Sequence, residues 1–349
     1  MKLSEADLEL LSRNFTVDDP EALDGLVQRL PAGARFERLT AYNYRGHKVR
    51  CAHCHRALHY RGWAVDLVGG GRALIGLNCG TDAFGLDWDG AVADYNASQD
   101  RQLDIRRILR IAPLLPDLIA ELKAIKASGA ADAFPALIEV LRRRLGKVGQ
   151  ELAKISRDDG RMRVDHIVRD RQQEEDRARL GAPGLIDAIE AATTPSARKL
   201  ARTRLDQWID QWAKQERVEE VVIGRCAGVE LFQPRTSMDC LDKALELGRE
   251  AQSILEAGPD GGNLGAALRA VEAASEEASR ALQIFSALDR FSQPDNLDLV
   301  AHWLNGGQAG NFVRAGRELS DARSKARFGL PADWRMPSMP ALAQLKAAL

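Results

Sequence analysis

The sequence predicts a mainly α protein, built of helical hairpins or a bundle with coiled-coil-like seams and carrying one small β-hairpin module near its N-terminus. Three observations carry that expectation. From about residue 91 onward apolar residues recur at steps of three and four, the period of a helix. The segment from Arg35 to Trp88 differs in kind, holding three of the four tyrosines, four of the six histidines and three of the five cysteines. The clearest strand-like runs fall in that same segment. The chain then divides into a helical lead-in (1–34), a β module (35–90), long helices (91–180), a helical domain (181–330) and a tail (331–349). With 349 residues, 45% of them apolar, it is long enough to bury a real core.

The lead-in reads as two short helices. Ser4 with Asp7 three places on forms a capping pair for the first, and Asp19-Pro20 opens a second that ends by Pro31. In the module, Trp63-Ala64-Val65-Asp66-Leu67-Val68 and Ala73-Leu74-Ile75 flank Gly69-Gly70-Gly71, a tight hairpin whose glycines supply positive φ. No phosphate-loop pattern follows those glycines. Farther on, Phe134, Ile138, Leu141, Leu145, Val148, Leu152 and Ile155 draw one apolar seam along a helix. Residues 161–180 are too polar to bury on a wide face and read as an exposed helix or a bridge between lobes. Thr194-Pro195 caps a helix carrying Trp208 and Trp212, which read as packing residues. Val218 to Gly224 fits either a small strand or a loop. A helix over about 237–257 and the seam Leu264, Leu268, Val271, Ser275, Ala278, Leu282 and Phe285 read as an antiparallel hairpin. Pro331, Pro337 and Pro340 predict an extended tail that ends in one short helix.

Chemistry concentrates in one place. Cys51 and Cys54 form a C-x2-C pair, and Cys79 returns after the hairpin to close the group from the other side. A C-x2-C pair sets two thiolates on one tight turn, the geometry tetrahedral Zn2+ demands. His59, in the spacing C-x2-C-x4-H, is the expected fourth ligand; His55, His53 and His47 lie nearby, and Asp82 suits zinc less well. The metal set expected is therefore Cys51, Cys54, His59 and Cys79. A redox role for the pair would require a βαβ setting that the sequence does not offer. A catalytic zinc would require an open position and a placed base, and neither H-E-x-x-H nor H-x-E with P-C-x-x-C occurs, so a structural ion is expected.

Cys51 and Cys54, a glycine-rich hairpin, and then Gly76 and Cys79 before a helix resemble a zinc-ribbon or treble-clef-type zinc finger. The resemblance covers about residues 45–86. It implies a structural zinc held by the cysteines, with a fourth Cys or His close after the last one. Residues 80–85, Gly-Thr-Asp-Ala-Phe-Gly, contain neither, which leaves a weakened site or one completed by a histidine.

A net charge of −1 argues against a surface that is cationic throughout. Yet Arg35, Arg38, Arg45, Lys48, Arg50, Arg56 and Arg61 face only Glu37, so residues 35–63 carry +6 and the remainder −7. Phe36, Tyr42, Tyr44, Tyr60 and Trp63 are interleaved with them, a mix that neutralises phosphates and stacks on bases. The competing reading makes the tyrosines and Trp63 a mini-core around the metal. The expected DNA or RNA contacts are Arg45, Lys48, Arg50, Arg56, Arg61, Tyr42, Tyr44 and Tyr60. The helical seams offer a second partner class, another protein or another copy of the chain, with the module then only a staple. No catalytic motif can be placed, and Cys226, Cys240, His166 and His302 stand isolated, so a non-enzymatic role is expected. The start, Met1 to Asp7, has no apolar core and no run approaches a membrane span, so a cytoplasmic protein without membrane contact is expected.

Overall fold

A computed structural model describes residues 3–56, 58–143, 147–167, 171–213, 218–233, 238–258, 263–306 and 311–349. The chain forms two compact units. The first comprises Met1–Lys123, Leu241–Ala278 and Met339–Leu349, and the second Ala124–Cys240 and Ser279–Ser338.

The first unit begins with α1 (Glu5–Ser12), whose capping box is formed as its sequence predicts: the Asp7 N–H donates to Ser4 Oγ at 3.1 Å and the Ser4 N–H to Asp7 Oδ2 at 3.3 Å. Asp7 is buried and pairs with Arg101 at 2.7 Å. Burial alone would raise its pKa, but hydrogen bonds from Ser4 and Arg101 outweigh that and hold the carboxyl below its usual range. No second helix follows. The 19–31 stretch is turns and extended chain, in which β1 (Thr16–Val17) precedes and β2 (Leu26–Val27) supplies an edge. These join β3 (Phe36–Asn43), β6 (Arg61–Leu67) and β7 (Arg72–Gly76) in a five-stranded mixed sheet of order β1-β3-β6-β7-β2. Between β3 and β6 the chain makes a separate two-stranded arm, β4 (Val49–Arg50) and β5 (Leu58–His59), paired Val49 to His59 and Arg50 to Leu58.

The β6–β7 hairpin turns where the glycine run predicts, with φ of 89°, 101° and 92° at Gly69, Gly70 and Gly71. Period-two alternation then sorts the sheet. Leu39, Trp63, Val65, Leu67, Ala73 and Ile75 enter one core with Phe15, Trp88 and Tyr95, while Tyr42, Ala64 and Leu74 enter a smaller one with Val49. Each large side chain so buried stabilises the sheet by about 1.5–3 kcal/mol, so the sheet has its own apolar reason to fold. Helices α2 (Gly80–Phe84), α3 (Leu86–Ile111), α4 (Leu115–Ala127), the later α10 (Cys240–Ala257) and α13 (Pro340–Ala348) complete the unit. The Glu121 carboxylate accepts the Ala341 N–H at 3.0 Å and ties α13 down.

In the second unit, α5 (Ala133–Arg143) and α6 (Val148–Arg157) carry the predicted 134–155 seam as two helices; Leu145 lies outside the described residues. Strand β8 (Arg161–Ile167) pairs antiparallel with β9 (Val218–Arg225), Val164 facing Val221. Between them run α7 (Arg171–Gly181), α8 (Pro183–Glu190) and α9 (Pro195–Ala213). Helix α11 (Asn263–Phe291) runs from the first unit into the second, followed by α12 (Pro294–Leu304) and a three-stranded sheet of β10 (Phe312–Ala315), β11 (Glu318–Asp321) and β12 (Arg327–Gly329).

The mainly α expectation is therefore corrected. Helix accounts for 57% of the structure, but 16% is strand, distributed over four sheets that include the five-stranded one. The reason is local. Within residues 161–167, Arg161 to Asp165 alternate polar and apolar, with Met162 fully buried; their charge suggests an exposed helix while their period is that of a strand. The strands at 312–329 were hidden in a span assigned to helix, and β1 and β2 are two-residue parallel edges whose partners are distant in sequence. In the 264–285 seam, Leu264, Leu268, Val271, Ser275, Ala278 and Phe285 are all buried.

Candidate metal centre

The cysteines meet where the two-stranded arm joins the sheet. Cys51 follows β4 and is fully buried; Cys54 and Cys79 are half-buried. The knuckle between Cys51 and Cys54 closes with the His55 N–H donating to the Cys51 carbonyl at 3.1 Å, and His55 itself takes φ 55°. Backbone N–H groups of the knuckle and of β7 converge on the first sulfur. Those of Cys54, Gly76 and His53 all hydrogen-bond the Cys51 Sγ. Cys79 arrives from β7 through a turn in which its N–H donates to the Gly76 carbonyl at 3.0 Å, and it immediately precedes α2.

The three sulfurs lie within 4.8 Å of one another, and Cys54 Sγ stands 3.8 Å from Cys79 Sγ. That second distance is nearly twice a disulfide bond, and none of the five cysteines is oxidised to one. It equals the edge of a tetrahedron with metal–sulfur bonds of about 2.3 Å, roughly 3.8 Å. Electrostatics agree. Burial pushes the Cys51 thiol up, but the three backbone N–H groups and the Cys79 thiol bring it below the usual thiol value. Cys79 is pushed up to about 12, by burial first and then by the other two sulfurs. Three thiolates this close cannot all ionise without a cation among them, so the trio is suited to hold a metal ion.

His59, on β5, lies outside the 4.8 Å group of sulfurs. Its ring rests against Gly76, where an added Cβ would stand 3.0 Å from the imidazole Cδ2 and press the ring back by a few tenths of an ångström. Nδ1 is 2.9 Å from Tyr42 Oη, and Nε2 is buried with no hydrogen-bond partner. Burial lowers the His59 pKa, partly opposed by the Cys54 sulfur, which favours the neutral ring that binds metals. Two other histidines have partners of their own, Arg29 Nε donating to His55 Nε2 at 3.2 Å and His47 Nε2 meeting Glu21 at 2.6 Å, while the His53 ring lies outside the sulfur group and its backbone N–H serves Cys51. Asp82 is exposed and outside the sulfur group.

Arg45, Lys48, Arg50, Arg56 and Arg61 are all exposed on the arm and its flanks. Among the described residues none of them has a carboxylate at ion-pair distance. Tyr60 is 49% exposed with Lys48 Nζ 5.6 Å from its ring centre, and Tyr44 is half-buried, edge-on to His47. Tyr42 is corrected: at 2% exposure its ring is core and cannot stack on a base, and its hydroxyl instead holds His59. Trp63 and Phe36 likewise belong to the core, Trp63 packing edge-on to Tyr95 at 4.8 Å and Phe36 to Phe84 at 4.9 Å. Of the tyrosines of this segment and Trp63, Tyr42 and Trp63 are thus buried, in the two cores of the sheet, while Tyr44 is half-buried and Tyr60 exposed. The role of Tyr42 beside His59 is invisible in sequence because it depends on the sheet register that sets Tyr42 opposite Gly62.

Comparison with family models, curated proteins and solved structures finds no match for this chain. Among the described residues no helix is long and apolar enough to cross a membrane.

Proposed function

We propose that the region around Cys51, Cys54 and Cys79 is a zinc-ribbon or treble-clef-type module whose structural Zn2+ presents a cationic arm to DNA or RNA. The observation that carries the reading is the trio of sulfurs within 4.8 Å, joined to an arm whose five exposed cations have no acidic partners among the described residues. Three thiolates and one imidazole form a Cys3His set, the soft, closed, four-coordinate environment of structural zinc. His59 is the fourth ligand in this reading, through the buried, unpartnered Nε2, with Tyr42 Oη accepting from Nδ1–H and fixing the tautomer. The zinc has a specific task. The five-stranded sheet folds on its own apolar core, whereas the arm buries little beyond Val49, Cys51 and Ala52. Tying Cys51 and Cys54 to Cys79 fixes the arm on the sheet and with it the positions of Lys48, Arg50, Arg56 and Tyr60.

Salt titration of nucleic-acid binding tests the contact. Five phosphate contacts give a slope of about −4.5 in log affinity against log salt, so affinity falls by roughly 10²–10³ between about 50 and 200 mM. Binding that is absent or indifferent to salt contradicts the reading.

A further inference from the structure

A second cationic surface lies in the other unit, on α9. Helices α8 and α9 are joined by four residues, 191–194, and α7 packs beside them. Their small core holds Ala178 of α7, Leu185, Ile186 and Ile189 of α8, and Leu205, Trp208 and Ile209 of α9. That core grips only the second half of α9. Of residues 195–204, Ala201 alone is buried, so nearly three turns of helix stand out in solvent. Thr194 caps them, its Oγ1 accepting the Ala197 N–H at 3.2 Å.

The protruding turns carry Arg198, Lys199, Arg202 and Arg204, with no acid before Asp206. Residues 171–213 hold seven basic and seven acidic residues, so this +4 is a segregation of charge and not an excess. Among the described residues none of the four cations has a carboxylate at ion-pair distance; Arg198 donates to the Ala192 carbonyl at 3.3 Å. At 100° per residue, Lys199 and Thr203 point away from the Ala201–Leu205 side, Arg202 and Arg204 flank them on either side, and Arg198 lies nearer the core edge. A surface depression of about 530 Å³ runs along Thr193, Thr194, Arg198, Lys199, Arg202 and Thr203, with Asp206 its one acid.

We propose that residues 195–204 of α9 form a duplex-DNA-binding surface that enters the major groove. A helix 10–12 Å across fits a groove about 12 Å wide. Two packed helices with a short turn hold the second rigidly enough to be inserted by its N-terminal half. Outward Lys199 reaches base edges, Arg202 and Arg204 on its two flanks reach phosphates on either side, with Arg198 beyond Arg202, and Leu200, 56% exposed beside Lys199, offers an apolar contact for a thymine methyl. Single-stranded nucleic acid has no such groove, and the major groove of duplex RNA is too deep and narrow for a helix. This surface belongs to the second unit, and the core that holds it includes no residue of the metal module.

The test uses the full chain and a labelled 30-base-pair DNA duplex, with anisotropy read from about 50 to 200 mM salt. The triple variant Arg198→Ala, Lys199→Ala, Arg202→Ala is compared with Lys48→Ala, Arg50→Ala, Arg56→Ala, each checked by circular dichroism and melting. The α9 triple should bind at least about 10-fold more weakly with a salt slope shallower by about 2–3, and Arg198→Lys with Arg202→Lys should keep most of the slope. Duplex RNA of the same sequence should bind the parent more weakly than DNA does. The proposal is overturned by a folded α9 triple that binds like the parent, by equal affinity for duplex RNA, or by a parent that does not bind duplex DNA. Loss only in the Lys48, Arg50, Arg56 triple removes the α9 proposal and supports the module; loss only in the α9 triple supports α9 and confines the module to other nucleic acids than duplex DNA.

Discussion

The arm at 44–61 and the helices at 171–213 both present exposed cations, but different forces hold them. In the helices Leu205, Ile209 and Ala178 are buried together, and α9 is positioned by the same apolar packing that makes it a helix. The arm has two paired residues per strand, buries few apolar side chains, and rests on three sulfurs whose charges exclude one another without a cation. In the proposed holo protein one surface is therefore fixed by hydrophobic burial and the other chiefly by the bound metal, and each should fail under conditions that leave the other intact.

Removal of the metal should produce the largest effect. In the proposed holo protein, chelation or Cys51→Ser should raise amide exchange across 44–61 by at least about two orders of magnitude, because metal-binding free energy is folding free energy for such an arm. The β3–β6–β7 ladder and residues 171–213 should keep their protection, and equal deprotection of all three would erase the contrast. The converse variant is Leu205→Ala, which should cost about 2–5 kcal/mol, read as a lowered denaturation midpoint or local exchange at 171–213, with metal content unchanged. A change in metal content would show that the two regions are coupled. Tyr42→Phe should be the mildest: it keeps the ring in the core but removes the hydroxyl from His59 Nδ1, and should weaken metal affinity by about 10–100-fold in a competition titration. An unchanged affinity would detach Tyr42 and His59 from the site.

What can be read in the sequence follows the range of the interaction. The Ser4–Asp7 cap, the glycine turn at 69–71 and the capped start of α9 at Thr194 are set by residues within a few positions of each other, and each is legible. The Cys51, Cys54 and Cys79 group is legible too, because two of its members share one turn and the third is delivered by a recognisable hairpin. Strand β8 is not, since its partner β9 lies some fifty residues on and a charged strand with one buried methionine resembles a surface helix. Burial of Tyr42 and exposure of Tyr60 are equally hidden: both are tyrosines beside cations, and only their place in the sheet or on the arm distinguishes them. The charge run at 198–204 is present in the sequence, but that the nearly three turns of helix at 195–204 that carry it project beyond the core depends on where α7 and α8 stop covering α9.

The most direct test of the metal-stapled arm is elemental analysis of the purified, fully reduced chain beside Cys79→Ser and His59→Ala. The account predicts one zinc per parent chain, none retained by Cys79→Ser and weakened retention by His59→Ala. A parent chain with no stoichiometric metal, or a Cys79→Ser variant that keeps it, contradicts the account.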